Sequence, residues 1–453
     1  MNFYHVLLLW LAGWFGLAGV AIAATGVLLE GGEPVAGRST PVGQDGPDCP
    51  APSMRFDDHS CFLNGSLERD FTMTSDTRWV LTGKVTVGED VGLSGDPGGG
   101  PTLTIEPGTR IVGMSGPDVL VISRGAKIRA EGTRDAPIVM TTIGREEGRG
   151  KWGGLVINGL APVNGCDQAP CELKGEGRSG LYGGDRPDDS SGVLRYLQVR
   201  HAGFRFTAEN ELNGIAFQGV GSGTRVDHVQ VHNNADDGVE FFGGTVNVSH
   251  LVLTGNADDG LDWTNGWRGR ASNVLIRQTD MADHGVEADN NGDAMDAEPR
   301  SAPVLANLTI LGSGAGSEAM LLREGTAAEI DNALIAGAFR QGCVDVDDPA
   351  TVNHGGIAFR HSVIDCREAP AFRDQPSESW SVKRVVHWGR GDNRTGRVAL
   401  DGLRPEESSG LRRMAAAGPA DGYAGAIGDK DWTSGWTYPE RGTGLAAAGG
   451  AVR

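Results

Sequence analysis

One short pattern returns along the middle of the chain at intervals that no compact fold explains. L-R-Y-L-Q-V at 194 is followed by V-D-H-V-Q-V at 226, V-S-H-L-V-L at 248, A-S-N-V-L-I at 271, L-A-N-L-T-I at 305, I-D-N-A-L-I at 330 and F-R-H-S-V-I at 359. The successive offsets are 32, 22, 23, 34, 25 and 29 residues. A base period near 22, lengthened by insertions, is the signature of a solenoid, in which each unit buries its apolar face only against its neighbours.

The units are built from strands. Each carries a second strand-like piece, G-I-A-F at 214, G-V-E-F at 238, G-L-D-W at 260, G-V-E-A at 285 and C-V-D-V at 343. Glycine every few residues rules out the helical stretch that leucine-rich or helical repeats need. Glycine makes up 71 of 453 residues without a collagen period, and a hydrophobic fraction of 39% still supplies a core. The expectation is an all-β right-handed parallel β-helix. Its domains read as 1–23 export signal, 24–78 linker or N-terminal cap, 79–375 β-helix, and 376–453 a Gly- and Trp-containing C-terminal cap and tail. Trp380, Trp388, Trp432 and Trp436 fall in that last segment, and solenoids need atypical ends to cover the open core.

The run from Val6 to Ala24 is apolar, and Ala21-Ile22-Ala23 supplies the small-x-small pattern of a cleavage site. An uncleaved anchor is the alternative. Six cysteines beyond the signal suit an oxidising compartment and a periplasmic, cell-surface or extracellular location, with Cys49–Cys61, Cys166–Cys171 and Cys343–Cys366 as the sequence-local pairing. A formal charge of −19 argues against a phosphate-backbone partner, which calls for clustered Lys and Arg, and no nucleic acid is expected. No membrane span is expected after signal cleavage.

Several segments resemble a family of bacterial exported proteins with right-handed parallel β-helices, within the broad pectin-lyase-like fold group. They are I-E-P-G-T-R-I at 105, R-G-A-K-I-R-A-E-G-T at 124, A-P-I-V-M-T-T at 136, K-W-G-G-L-V-I-N-G-L-A-P-V-N at 151 and G-D-K-D-W-T-S-G-W-T at 428. The resemblance spans residues 79 to 437 and implies a cell-envelope or secreted location. It implies a fold shared with polysaccharide lyases, glycosidases and adhesins, but most members carry no assigned reaction.

Aligning the repeats places side chains in columns. Tyr196, His228, His250, Asn273, Asn307, Asn332 and His361 form one, and at the strand spacing of about 4.8 Å they can stack into a polar ladder. The tandem N-A-D-D-G-V-E at 234, N-A-D-D-G-L-D at 256 and M-A-D-H-G-V-E at 281 forms another. It sets Asp237 over Asp259 and His284, and Glu240 over Asp262 and Glu287. Two carboxylates about 5 Å apart repel by roughly 3 kcal/mol at an effective dielectric near 20, so protons, arginines or a bound cation must offset the row. Calcium suits, as a hard ion that takes several carboxylate and carbonyl oxygens, and Arg268, Arg270, Arg277, Arg300 and Arg323 are the alternative. Solvated turn carboxylates remain the plain reading.

Two functions follow from this row. The first is a non-catalytic acidic face that binds a polysaccharide or another surface component, with calcium as the cofactor. Glu240, Trp263, Trp267, Arg270 and Glu287 would contact the ligand, the tryptophans offering aromatic faces beside the carboxylates. The second is a polysaccharide lyase or glycoside hydrolase in a groove around residues 234–300, with Asp237, Asp259, Asp262 and Arg268 as catalytic candidates. D-N-N-G-D-A-M-D at 289 alternates oxygen ligands in Asp289, Asn291 and Asp293 and is a further calcium candidate, although Ala294 and Arg300 depart from an EF-hand.

Overall fold

The computed structural model describes residues 47–207, 210–279, 281–314, 316–406, 423–428 and 430–439. The export signal expected over residues 1–23 lies outside them. Among the described residues no helix is long and apolar enough to cross a membrane.

Each repeat is one coil of a right-handed parallel β-helix. The long strands Gly192–Arg200, Arg225–His232, Asn247–Thr254, Arg270–Arg277, Val304–Ser313 and Ala328–Ala338 pair in parallel, in sequence order. Val231, Leu253 and Ile276 are register partners and all point into one buried interior. The short strands Ile215–Gln218, Val239–Phe242, Leu261–Thr264, Val286–Ala288, Glu318–Leu322 and Gly342–Val346 form a second parallel stack.

The polar column explains how a long strand turns a corner. Tyr196, His228, His250, Asn273, Asn307, Asn332 and His361 all have φ between 45° and 57°, a left-handed conformation that bends the chain in the middle of each strand. Such a φ is unfavourable for most residues and most tolerable for Asn. Stacking supports it here. The rings of Tyr196 and His228 lie 4.4 Å apart and those of His228 and His250 4.3 Å apart. The ladder continues as Asn307 donates to Asn273 at 3.0 Å and Asn332 to Asn307 at 2.8 Å. His228 and His250 also share the Asp227 carboxylate, at 2.8 and 3.1 Å.

Both ends differ in detail from the expected boundaries. Ser60–Leu67 already pairs in parallel with Arg78–Val87, so coil stacking begins inside the stretch read as linker or cap. An antiparallel hairpin with Met54–Asp57 and the Cys49–Cys61 disulfide close that end. At the other end Val382, Val386 and Trp388 cover the core, with Trp388 against Phe359 and Phe372. Trp432 and Trp436 instead lie on the flank of the long-strand stack, against Val252 and Leu275. The other two disulfides join Cys166 to Cys171 and Cys343 to Cys366, as the sequence-local pairing expects.

Candidate functional site

The turns that enter the short strands bring the acidic row together. Asp237 accepts from the backbone N–H of Asp259 at 2.9 Å, and Asp259 accepts from the backbone N–H of His284 at 2.6 Å. Each carboxylate thus ties its coil to the next. One step along the strand, Glu240, Asp262 and Glu287 are register partners on three successive coils. These carboxyls line a depression of about 400 Å³, which Glu176, Glu211, Asp236, Asp258 and Arg323 complete.

Among the described residues, Arg205 pairs with the lining carboxylate Glu211 at 2.6 Å, and along the row Glu240, Asp262 and Glu287 positive charge meets Glu287. Arg323 bonds Glu287 and holds Asp289 at 3.0 Å. His284 lies 3.0 Å from Asp259, 3.1 Å from Glu287 and 3.4 Å from Glu318. Although burial opposes it, these carboxylates raise the His284 pKa far above the ordinary imidazole range and keep the ring charged. Burial also opposes the shift of Glu287, but His284 and Arg323 hold its carboxyl below the ordinary value.

At the other end the carboxyls rise. Burial comes first and neighbouring carboxylates second: Asp236 is pushed up to about 9, and Asp237, Glu240 and Asp262 stand well above their ordinary values. Asp259 is pushed up to about 8 by burial, against the pull of His284. Asp237, Glu240 and Asp262 each offer an oxygen within 4.8 Å of the others. Glu240 accepts from Asn213 at 2.5 Å, while Asp262 Oδ1 is buried without a hydrogen-bond partner. Three carboxyls converge there, one of them with a buried oxygen that lacks a partner, and a hard cation could take an oxygen from each.

Residues 65–368, well over half of the chain, match the family model described as pectate-lyase like beta helix domain. The chain belongs to this family. No curated protein and no solved structure matches it. Within this pectate-lyase-like β-helix, Asp237, Glu240, Asp259, Asp262 and Glu287 meet in the depression as their columns imply.

Other candidates are not brought there. Trp263 and Trp267 are fully buried: Trp267 stacks on Phe241 at 3.9 Å, and the indole N–H groups donate to Thr326 Oγ1 and the Val246 carbonyl. They are core residues and present no face to a ligand. Arg268, in the turn that follows, and Arg270, at the start of the strand Arg270–Arg277, are exposed and line no part of the depression. Asp289, Asn291 and Asp293 do not converge. Asp289 pairs with Arg323, Asn291 Oδ1 accepts from the backbone of Asp293 and Ala294, and Asp293 is exposed. Of the arginines weighed against the acidic row, Arg323 is the one that meets it, while Arg300 bonds Asp296 and the carbonyls of Met295 and Gly325.

Sequence reasoning missed Glu176 and Glu211. They come from the insertions ahead of the strands Gly192–Arg200 and Ile215–Gln218, where no period exists to place them.

Proposed function

We propose that this protein is an exported carbohydrate-binding β-helix whose acidic depression takes calcium, and through it the carboxylate of an acidic polysaccharide or cell-surface glycan. One observation carries the reading. Asp237, Glu240 and Asp262 converge within 4.8 Å, no basic side chain among the described residues bonds any of them, and Asp262 Oδ1 lacks a partner there. Bare carboxylates at that distance repel by roughly 3 kcal/mol per pair at an effective dielectric near 20. A calcium ion removes the repulsion, and its six to eight ligand positions leave room for oxygens of a sugar acid. Membership of the pectate-lyase-like family supports a carbohydrate ligand. Three disulfides support an oxidising compartment.

A specific feature favours a second reading, a glycoside hydrolase. Adjacent carboxyls with pKa values driven apart are the pattern of a general acid beside an ionised base or nucleophile, and Asp262 and Glu287 form such a pair. A lyase is less well served, because Arg323, the arginine in the depression, is locked in ion pairs with a raised pKa and makes a poor base.

The test is calorimetry and product analysis of the mature protein with oligogalacturonides, alginate oligomers and other uronic-acid polymers, with calcium and with chelator. Calcium-dependent binding without new reducing ends or unsaturated products is the expected outcome. Reducing ends that vanish in both Asp262→Asn and Glu287→Gln would establish the hydrolase, and no binding under either condition would refute the glycan site.

A further inference from the structure

A second cavity, of about 690 Å³, opens between the loop 145–148, the strand ends at His201 and His232, and Tyr438 of the C-terminal segment. Its walls mix donors and acceptors, unlike the acidic depression. Arg145 is exposed and makes no ion pair among the described residues, and Glu147 lies beside it. Glu146 is held by Arg110 and, at 2.9 Å, by Arg200. The Arg200 guanidinium in turn lies over the Tyr438 ring, 4.3 Å from its centroid.

His201 is the informative residue. It is 1% exposed, and its Nδ1 lies 2.7 Å from the Gly148 carbonyl. A carbonyl can only accept, so Nδ1 carries the proton and Nε2 keeps a bare lone pair. That nitrogen is buried and has no hydrogen-bond partner. Burial pulls the His201 pKa below the ordinary range, and burial with the nearby His201 and Arg200 brings His232 down to about 3, so both rings are neutral at physiological pH. A buried acceptor without a donor calls for an explanation, and a ligand hydroxyl supplies one.

The chemistry selects among ligands. An anion would meet the His201 lone pair and the carboxylates of Glu146 and Glu147. A transition metal would need a third ligand, but the His201 and His232 ring centroids are 5.9 Å apart and no cluster of three ligating groups includes them among the described residues. An uncharged sugar both donates and accepts, as the walls require.

We propose that this cavity is a second subsite, taking a neutral pyranose whose hydroxyls donate to His201 Nε2 and Glu147 and accept from Arg145. The subsite rests on the reading of the protein as a carbohydrate binder. Asn233 lines this cavity and Asp236 lines the acidic depression. Two residues lie between them, so their Cα atoms are three chain steps and at most roughly 11 Å apart, and one oligosaccharide can reach both.

The experiment is calorimetry of the mature protein in EDTA, which silences any calcium-dependent site, against the methyl glycosides of galactose, glucose, mannose, rhamnose and xylose. At least one is expected to bind saturably, and Arg145→Ala and Tyr438→Ala, each with an unchanged melting temperature, to weaken it by about tenfold. Absence of saturable heat across the panel overturns the subsite, as does binding that both variants leave intact. Failure of the calcium-dependent site alone would appear differently, as lost oligogalacturonide binding with the EDTA-insensitive signal retained.

Discussion

Asp262 and Glu287 are register partners on adjacent coils, yet their carboxyls are driven in opposite directions. Burial and the charges of Glu240, Glu287, Asp289 and Asp259 push Asp262 up, whereas His284 and Arg323 outweigh burial to hold Glu287 down. A row with one compensated end and one uncompensated end stores a demand for protons or for a cation.

Stability of the metal-free protein falls as pH rises from about 5 to 8. Asp259 and Asp236 have ordinary values of 3.8 and folded values of about 8 and about 9, so in this window the folded state binds more protons than the unfolded chain. The charged His284 adds to the effect, since stability from a raised imidazole is lost above its unfolded value of 6.5. His201 and His232 work the other way below pH 6.5, but two imidazoles stand against five raised carboxyls. A net loss of about 2 kcal/mol lowers the melting temperature of a chain of this length by roughly 2 °C. Calorimetric melts in chelator at pH 5 and pH 8 check this, and equal melting temperatures would refute it.

Asn307→Ala destabilises more than Asn307→Gly. Asn307 has a φ of 56° and its side chain links Asn273 to Asn332. Both variants lose the ladder bonds, worth about 1 kcal/mol each. Alanine additionally meets the left-handed backbone at about 1 kcal/mol, which glycine avoids. Urea unfolding of the two variants measures the difference directly.

Trp267→Phe leaves glycan affinity unchanged, and Trp267→Ala destabilises by about 3 to 5 kcal/mol, the usual loss for emptying a core aromatic site. Its indole is fully buried and stacked on Phe241. A selective loss of binding in Trp267→Phe, with stability retained, would restore the tryptophan to the ligand site.

The columns were legible in the sequence because a parallel coil carries its register in the repeat itself. Aligning N-A-D-D-G-V-E with N-A-D-D-G-L-D sets Glu240 beside Asp262, and the strand register agrees. Trp263 was misread although the same pattern held the answer: in a strand whose Asp262 faces the depression, the alternating neighbours Leu261 and Trp263 must face the core. Asp289, Asn291 and Asp293 have the spacing of cation ligands, but spacing does not reveal that Asn291 is already occupied by its own turn. Glu176, Glu211 and the cavity at His201 depend on insertions and on Tyr438, more than two hundred residues beyond His201 and His232, and periodicity says nothing about either.

The most direct measurement is a calcium titration of the metal-free protein at pH 7 in buffers of different ionisation enthalpy. Carboxyls held protonated by burial must ionise to ligate the ion, so one saturable site with release of about one proton or more per calcium is predicted, and both are lost in Asp262→Asn. No heat of binding at millimolar calcium, or binding that Asp262→Asn leaves untouched, would contradict a cation site at Asp237, Glu240 and Asp262.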